Sequence, residues 1–155
     1  MTIVNGIVGN AGATPEYGTF TPTIQDSSLS DSEGQVYSDQ DGRYVKTATS
    51  NPGVSVVDFW IDMTITTVGV TGSQVYVAGL PFLPNATAGV SVQWGSSLNK
   101  TTAAASIAGV IGFNTSEDVI RLYEVDLVTG TSWFSATELS DGARLIIAGK
   151  YTTAQ

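Results

Sequence analysis

The sequence predicts an all-β protein, an antiparallel β-sandwich of jelly-roll-like form with about eight strands and a short extended N-terminal arm. Three observations predict it. Val54 to Thr67, VSVVDFWIDMTITT, alternates with a period of two: Val57, Phe59, Ile61, Met63 and Ile65 fall on one side, and Asp58, Trp60, Asp62, Thr64 and Thr66 on the other. That is a long strand with one dry and one wet face, since a helix would mix the two sets at every turn. Other apolar runs of strand length recur at short intervals between Gly, Pro, Asn and Asp turn signals. Charged residues make up only 13% of the 155 residues, against about 25% in ordinary soluble domains. Ser, Thr and Gly supply the polar surface instead, a composition typical of β-rich assembly proteins.

Residues Met1 to Glu16 read as the arm, and 17–155 as a single sandwich domain. Gly6, Gly9, Gly12 and Pro15 interrupt any regular element in the arm, yet Ile3, Val4, Ile7 and Val8 are apolar enough to seek a dry surface. They are candidate interface residues. Tyr17–Gln25 reads as a first strand, at an edge because Pro22 has no N–H. Gln35–Ala48 reads as a hairpin with a tight turn at Asp41–Gly42. Asn51-Pro52-Gly53 is a turn into the central strand. Val68–Ser73 is a glycine-rich turn, and Ser73–Leu80 is a strand with Val75 and Val77 on one face and Gln74 and Tyr76 on the other.

Ala88–Gly95 alternates as a strand. Thr102–Thr115 has alanines that would suit a helix, but Ile107, Gly109, Ile111 and Phe113 alternate, which favours a strand. Asp118–Asp126 is a strand and Thr129–Thr131 a turn. Trp133–Leu139 is irregular. Asp141–Gly142 turns the chain into the last strand, Ala143–Thr152. The Greek-key route is left open by this pattern.

Several function classes drop out. The chain has no histidine and no cysteine, so Ser–His and Cys–His nucleophile systems cannot be built, nor can thiolate metal sites. The net charge of −8 provides no basic track, which makes nucleic acid and anionic membranes poor partners. No apolar window is long enough to span a bilayer, and the N-terminus lacks the n- and h-regions of a secretory signal. Beginning with Met1, the sequence suggests an intact cytoplasmic product.

The remaining chemistry is sparse. Asp39-Gln40-Asp41-Gly42 resembles the opening of a calcium loop, but no glutamate closes it and turn chemistry accounts for the residues. Asp58 and Asp62 share a strand face with roughly 13 Å between Cα atoms, too far for a retaining glycosidase pair. Gly95-Ser96-Ser97 forms no nucleophile elbow. The sequons at Asn85, Asn99 and Asn114 matter only in a eukaryotic secretory pathway. No enzyme and no cofactor are expected. Among the aromatics, Trp94 and Trp133 are expected in the core. Trp60 and Tyr76, on the more polar sides of their strands, are expected at an interface.

Several short pieces then occur in order: GTFTPTI at Gly18–Ile24, GRYVK at Gly42–Lys46, MTITTVG at Met63–Gly69, VAGLPF at Val77–Phe82, VQWG at Val92–Gly95 and LIIAGKYT at Leu145–Thr152. Together they resemble the β-sandwich module of tailed-bacteriophage virion proteins, found at tail-fibre C-termini and in capsid-attached fibres or decoration proteins. The resemblance runs from about Tyr17 to Thr153. It implies a virion protein made in the host bacterial cytoplasm. The short front favours a capsid decoration (cement) protein on the capsid exterior, a homotrimer bound to the major capsid protein. The alternative it implies is a tail or head fibre that binds a receptor or host glycan.

Overall fold

The computed structural model describes residues 14–26, 34–69, 74–94, 106–112, 117–126 and 130–154, without the side chains of 91–94, 106 and 126. Ile3, Val4, Ile7 and Val8, and with them the expected arm, lie outside the described residues.

The described chain forms ten strands. They are β1 (Glu16–Phe20), β2 (Thr23–Gln25), β3 (Val36–Ala48), β4 (Val54–Thr67), β5 (Tyr76–Ala78), β6 (Ala88–Trp94), β7 (Ser106–Ile111), β8 (Ile120–Asp126), β9 (Gly130–Trp133) and β10 (Arg144–Ala154), with one 3-10 turn at Ala136–Glu138. All pairings are antiparallel. They follow the path β1-β3-β4-β10-β6-β7-β8-β5-β2, and β9 pairs with β8. The path doubles back so that β4 and β10 face β8, β5 and β2 across one core, which makes the all-β sandwich that the alternation predicts.

The central strand keeps its expected bounds and its expected inner face. Val57, Ile61, Met63 and Ile65 are fully buried and Phe59 nearly so. They pack with Leu145, Ile147 and Tyr151 of β10 and with Ile24, Val77, Ile111, Ile120, Leu122 and Phe134 from the other layer. Burying an aliphatic or aromatic side chain of this size contributes roughly 1.5–3 kcal/mol.

Several expected elements differ. Gly130 and Thr131, expected in a turn, open β9, and the strand expected at Ser73–Leu80 is the three-residue β5. Tyr17–Gln25 is two strands: β1 pairs with β3, while β2, beyond Thr21–Pro22, pairs with β5. Pro22 breaks the ladder where the chain crosses between layers, so both pieces are edges. The Ile24 amide donates to Tyr37 Oη at 2.7 Å and Gln40 Nε2 donates to the Pro22 carbonyl at 2.8 Å, which ties this crossing to β3.

The expected hairpin at Asp41–Gly42 is instead the middle of one 13-residue strand, β3. Gly42 is there for space. It sits opposite Phe20, and a Cβ on it would come within 2.6 Å of the Phe20 carbonyl and 2.8 Å of its ring. Gly18 opposite Tyr44 is the reciprocal case, with the Tyr44 ring 2.5 Å from where a Cβ would stand. Each glycine lets β1 and β3 approach under an aromatic ring. The hairpin turn between β3 and β4 comes at Asn51-Pro52-Gly53, where Gly53 has φ +81°.

Candidate interaction surface

Because side chains alternate, β1, β3, β4 and β10 present a second set of residues on the side away from the core. The register lines these up in rows across the strands. Tyr17, Val45, Asp58 and Lys150 form one row, and Thr19, Arg43, Trp60 and Ala148 the next. Asp41, Asp62 and Ile146 follow, then Asp39, Thr64 and Arg144. Between the first two rows runs an open groove of about 570 Å³, lined by Tyr17, Gly18, Thr19, Arg43, Tyr44, Val45, Asp58, Phe59 and Trp60. Its volume falls within the roughly 300–1,000 Å³ typical of ligand sites, but it is open along the sheet rather than enclosed.

Tyr17 is 72% exposed, and Trp60 is half-buried on the outward side, the side read from the sequence. Arg43 lies over the Trp60 ring at 5.7 Å and donates to Asp41 through Nε at 3.2 Å and Nη2 at 2.6 Å. Asp41 raises the Arg43 pKa further above its ordinary value. Lys150 Nζ is 3.1 Å from Asp58. Arg144 grips Asp62 with both ends of its fork. Those hydrogen bonds hold the Asp62 carboxyl below its ordinary value, against the opposing effect of burial. Of the carboxylates noted in the sequence, Asp41, Asp58 and Asp62 are thus held in cation pairs. Asp39 and Asp41 lie in a strand, and among the described residues no group of three or more potential metal ligands forms.

The other aromatics fall elsewhere. Tyr76, expected at an interface, is only 5% exposed. It does point away from the core side held by Val77, but Arg121 stacks on its ring at 5.2 Å, its hydroxyl donates to Gln74 Oε1 at 2.7 Å, and Ala78 and Val119 pack beside it. Trp133, expected in the core, is instead 47% exposed on β9. Its ring lies 4.9 Å from that of Tyr123, its register partner. With the region read as irregular, no alternation was available to orient Trp133. Trp94 lies outside the described side chains.

The motif pieces meet on the inner side. Tyr44 packs edge-on against Phe82 at 5.2 Å, and Lys46 Nζ sits 4.2 Å over the same ring. Tyr151 Oη donates to the Phe82 carbonyl at 3.0 Å, and Thr153 Oγ1 to the Leu83 carbonyl at 2.7 Å. The Asn85 amide donates to the Thr152 carbonyl at 2.9 Å. Burial pushes the Tyr151 phenol above its ordinary value, so it stays a donor. The GRYVK, VAGLPF and LIIAGKYT pieces, the last with the following Thr153, therefore build one clasp, which holds the Phe82–Asn85 segment against the sandwich.

No protein-family model matches this sequence, and no curated protein matches it. Among solved structures, the chain is similar in fold to part of the Dettilon tailspike protein gp208, with a TM-score of 0.61 and 13% identity. The likeness covers 91% of this chain and 24% of the tailspike, so the chain spans about a quarter of that protein. Among the described residues, no helix is long and apolar enough to cross a membrane.

Proposed function

We propose that the chain is a structural protein of a tailed-bacteriophage virion and that it acts by binding. The likeness of fold to a quarter of a phage tailspike, over nearly the whole of this chain, is the observation that carries this reading. The meeting of three virion-like motif pieces in one clasp supports it. In this reading the chain is a decoration protein on the capsid exterior, a homotrimer whose apolar residues Ile3, Val4, Ile7 and Val8 grip the major capsid protein. Bridging neighbouring subunits stabilises the shell by mass action, because the added protein binds the assembled state alone.

A second reading places the module on the tail, where it would bind a host glycan. The tailspike likeness favours it, as does the exposed Trp133–Tyr123 pair, whose rings offer a stacking surface to a sugar.

Copy number in purified virions, measured by quantitative mass spectrometry against the major capsid protein, tests both. A fixed fraction of the capsid copy number is the result expected of a decoration protein. A handful of copies moves the protein to the tail, and absence from the particle overturns both readings.

A further inference from the structure

The charge of this acidic chain is unevenly arranged. It has only six Lys and Arg residues. Three of them, Arg43, Arg144 and Lys150, lie on the outer face of β1, β3, β4 and β10, each against a carboxylate on the same face: Asp41, Asp62 and Asp58. Beyond these pairs and Asp39, ten carboxylates remain in the sequence against three cations. Two copies of such a chain repel wherever that surplus faces itself, over a screening distance of about 8–10 Å at ordinary salt. On the outer face every charge but that of Asp39 is already neutralised in a pair, and that repulsion is small.

The same face carries the apolar surface. Tyr17, Val45, Trp60, Ile146 and Ala148 stand between the ion pairs, and the groove between the first two rows gives a side chain from a partner somewhere to insert. Three strands about 4.8 Å apart over eight residues of about 3.3 Å each, with the five residues of β1 beside them, give a face of roughly 450 Å². Two such faces together bury about 900 Å², the size of a weak, reversible interface.

We propose that this face packs against the same face of a second copy of the chain, with Tyr17, Val45 and Trp60 at the centre of the contact. The charge argument selects the occupant, because it applies equally to both partners. A two-fold axis sets the same patch on both copies together, whereas a three-fold axis sets one part of this face against another part of the same face on the neighbour. Resting on the virion reading for its setting, this contact builds the oligomer before the oligomer meets the particle, so copy number and self-association fail separately.

Light scattering on the full chain, over about 1–100 μM, where a weak, reversible contact is read, measures the association. The wild-type mass rises above that of the monomer. Val45→Glu, which sets a carboxylate beside Asp58, and Lys150→Glu, which puts two acids side by side, each weaken association at least about tenfold. Trp133→Ala, on the other layer, leaves it unchanged. Circular dichroism checks folding, and Lys150, on an exposed position, decides the matter if Val45→Glu does not fold. A wild-type chain that stays monomeric overturns the proposal, as does association untouched by both charge changes. A monomer whose Lys150→Glu form no longer enters particles overturns it too, because the face then belongs to another protein.

Discussion

The clasp around Phe82 and the outer face around Trp60 are built from the same three strands, one residue apart. β3 sends Tyr44 and Lys46 to the clasp and Arg43 and Val45 outward. β4 sends Phe59 inward, against Tyr151, and Asp58 and Trp60 outward. β10 sends Tyr151 inward and Lys150 outward. Both regions combine aromatic rings with a cation, yet their physical states differ. In the clasp, the Tyr151 hydroxyl and the Phe82 carbonyl satisfy each other and the rings are packed. On the outer face the charges are paired, but the rings of Tyr17 and Trp60 still meet water. The first arrangement completes the fold. The second leaves apolar surface whose burial requires something outside the chain.

The largest way to break this comparison is in the clasp. Tyr151→Ala removes a side chain that is 2% exposed and is expected to cost about 3–5 kcal/mol. In a chain of this size that lowers the melting temperature by on the order of 10 °C in calorimetry. Tyr151→Phe keeps the ring and orphans the Phe82 carbonyl, at a cost of about 1–3 kcal/mol. If neither moves the transition, the clasp is not part of the fold's stability.

Gly42→Ala is next, at about 1–3 kcal/mol, since the new methyl meets Phe20 backbone and ring. Urea unfolding measures it. A neutral result would mean that β1 gives way, and that the outer face loses its Tyr17 edge without loss of fold.

This glycine marks where the sequence misled. Asp41-Gly42 carries ordinary turn chemistry, and only the cross-strand partner Phe20 reveals that the glycine serves close approach. A partner 22 residues away in the chain is not visible in local pattern. The central strand was legible because Val54–Thr67 sustains its alternation over 14 residues, and Trp60 was placed outward for the same reason. Tyr76 was not legible. Its strand has three residues, and both of its faces are covered, one by the core and one by Arg121 and Val119. Trp133 had no alternation around it to read. The grouping of cations beside carboxylates on one face depends on register between strands distant in sequence, so no single stretch announces it.

A smaller effect separates the regions by pH. Asp62 has a folded pKa below its unfolded value, so the unfolded state binds its proton first as pH falls. Its contribution to stability is therefore full above the unfolded value of about 3.9, and is lost as pH falls through the lower folded value. Melting curves of wild type and Asp62→Asn should converge as the pH falls below about 4. Curves that remain parallel to lower pH would show that the Arg144 pair adds nothing to folding. Tyr151 stays protonated throughout this range, so the clasp does not titrate with it.

The smallest expected effect on stability is that of Trp60→Ala, at less than about 1 kcal/mol, because the ring lies at the surface. Trp60→Ala melting close to wild type, beside Tyr151→Ala melting far below it, would sharpen the contrast between a ring used by the fold and one kept for contact. A large loss at Trp60 would break it.

The most direct measurement is hydroxyl-radical footprinting of Trp60, Tyr17 and Trp133 in the purified virion and in the dilute isolated chain, read by mass spectrometry. Strong protection of Trp60 and Tyr17 in the particle, at positions that are open in the isolated chain, is the result expected of an outer face buried by assembly. Equal oxidation of Trp60 in both states would contradict the account, because the face would then remain in water after the chain has taken its place.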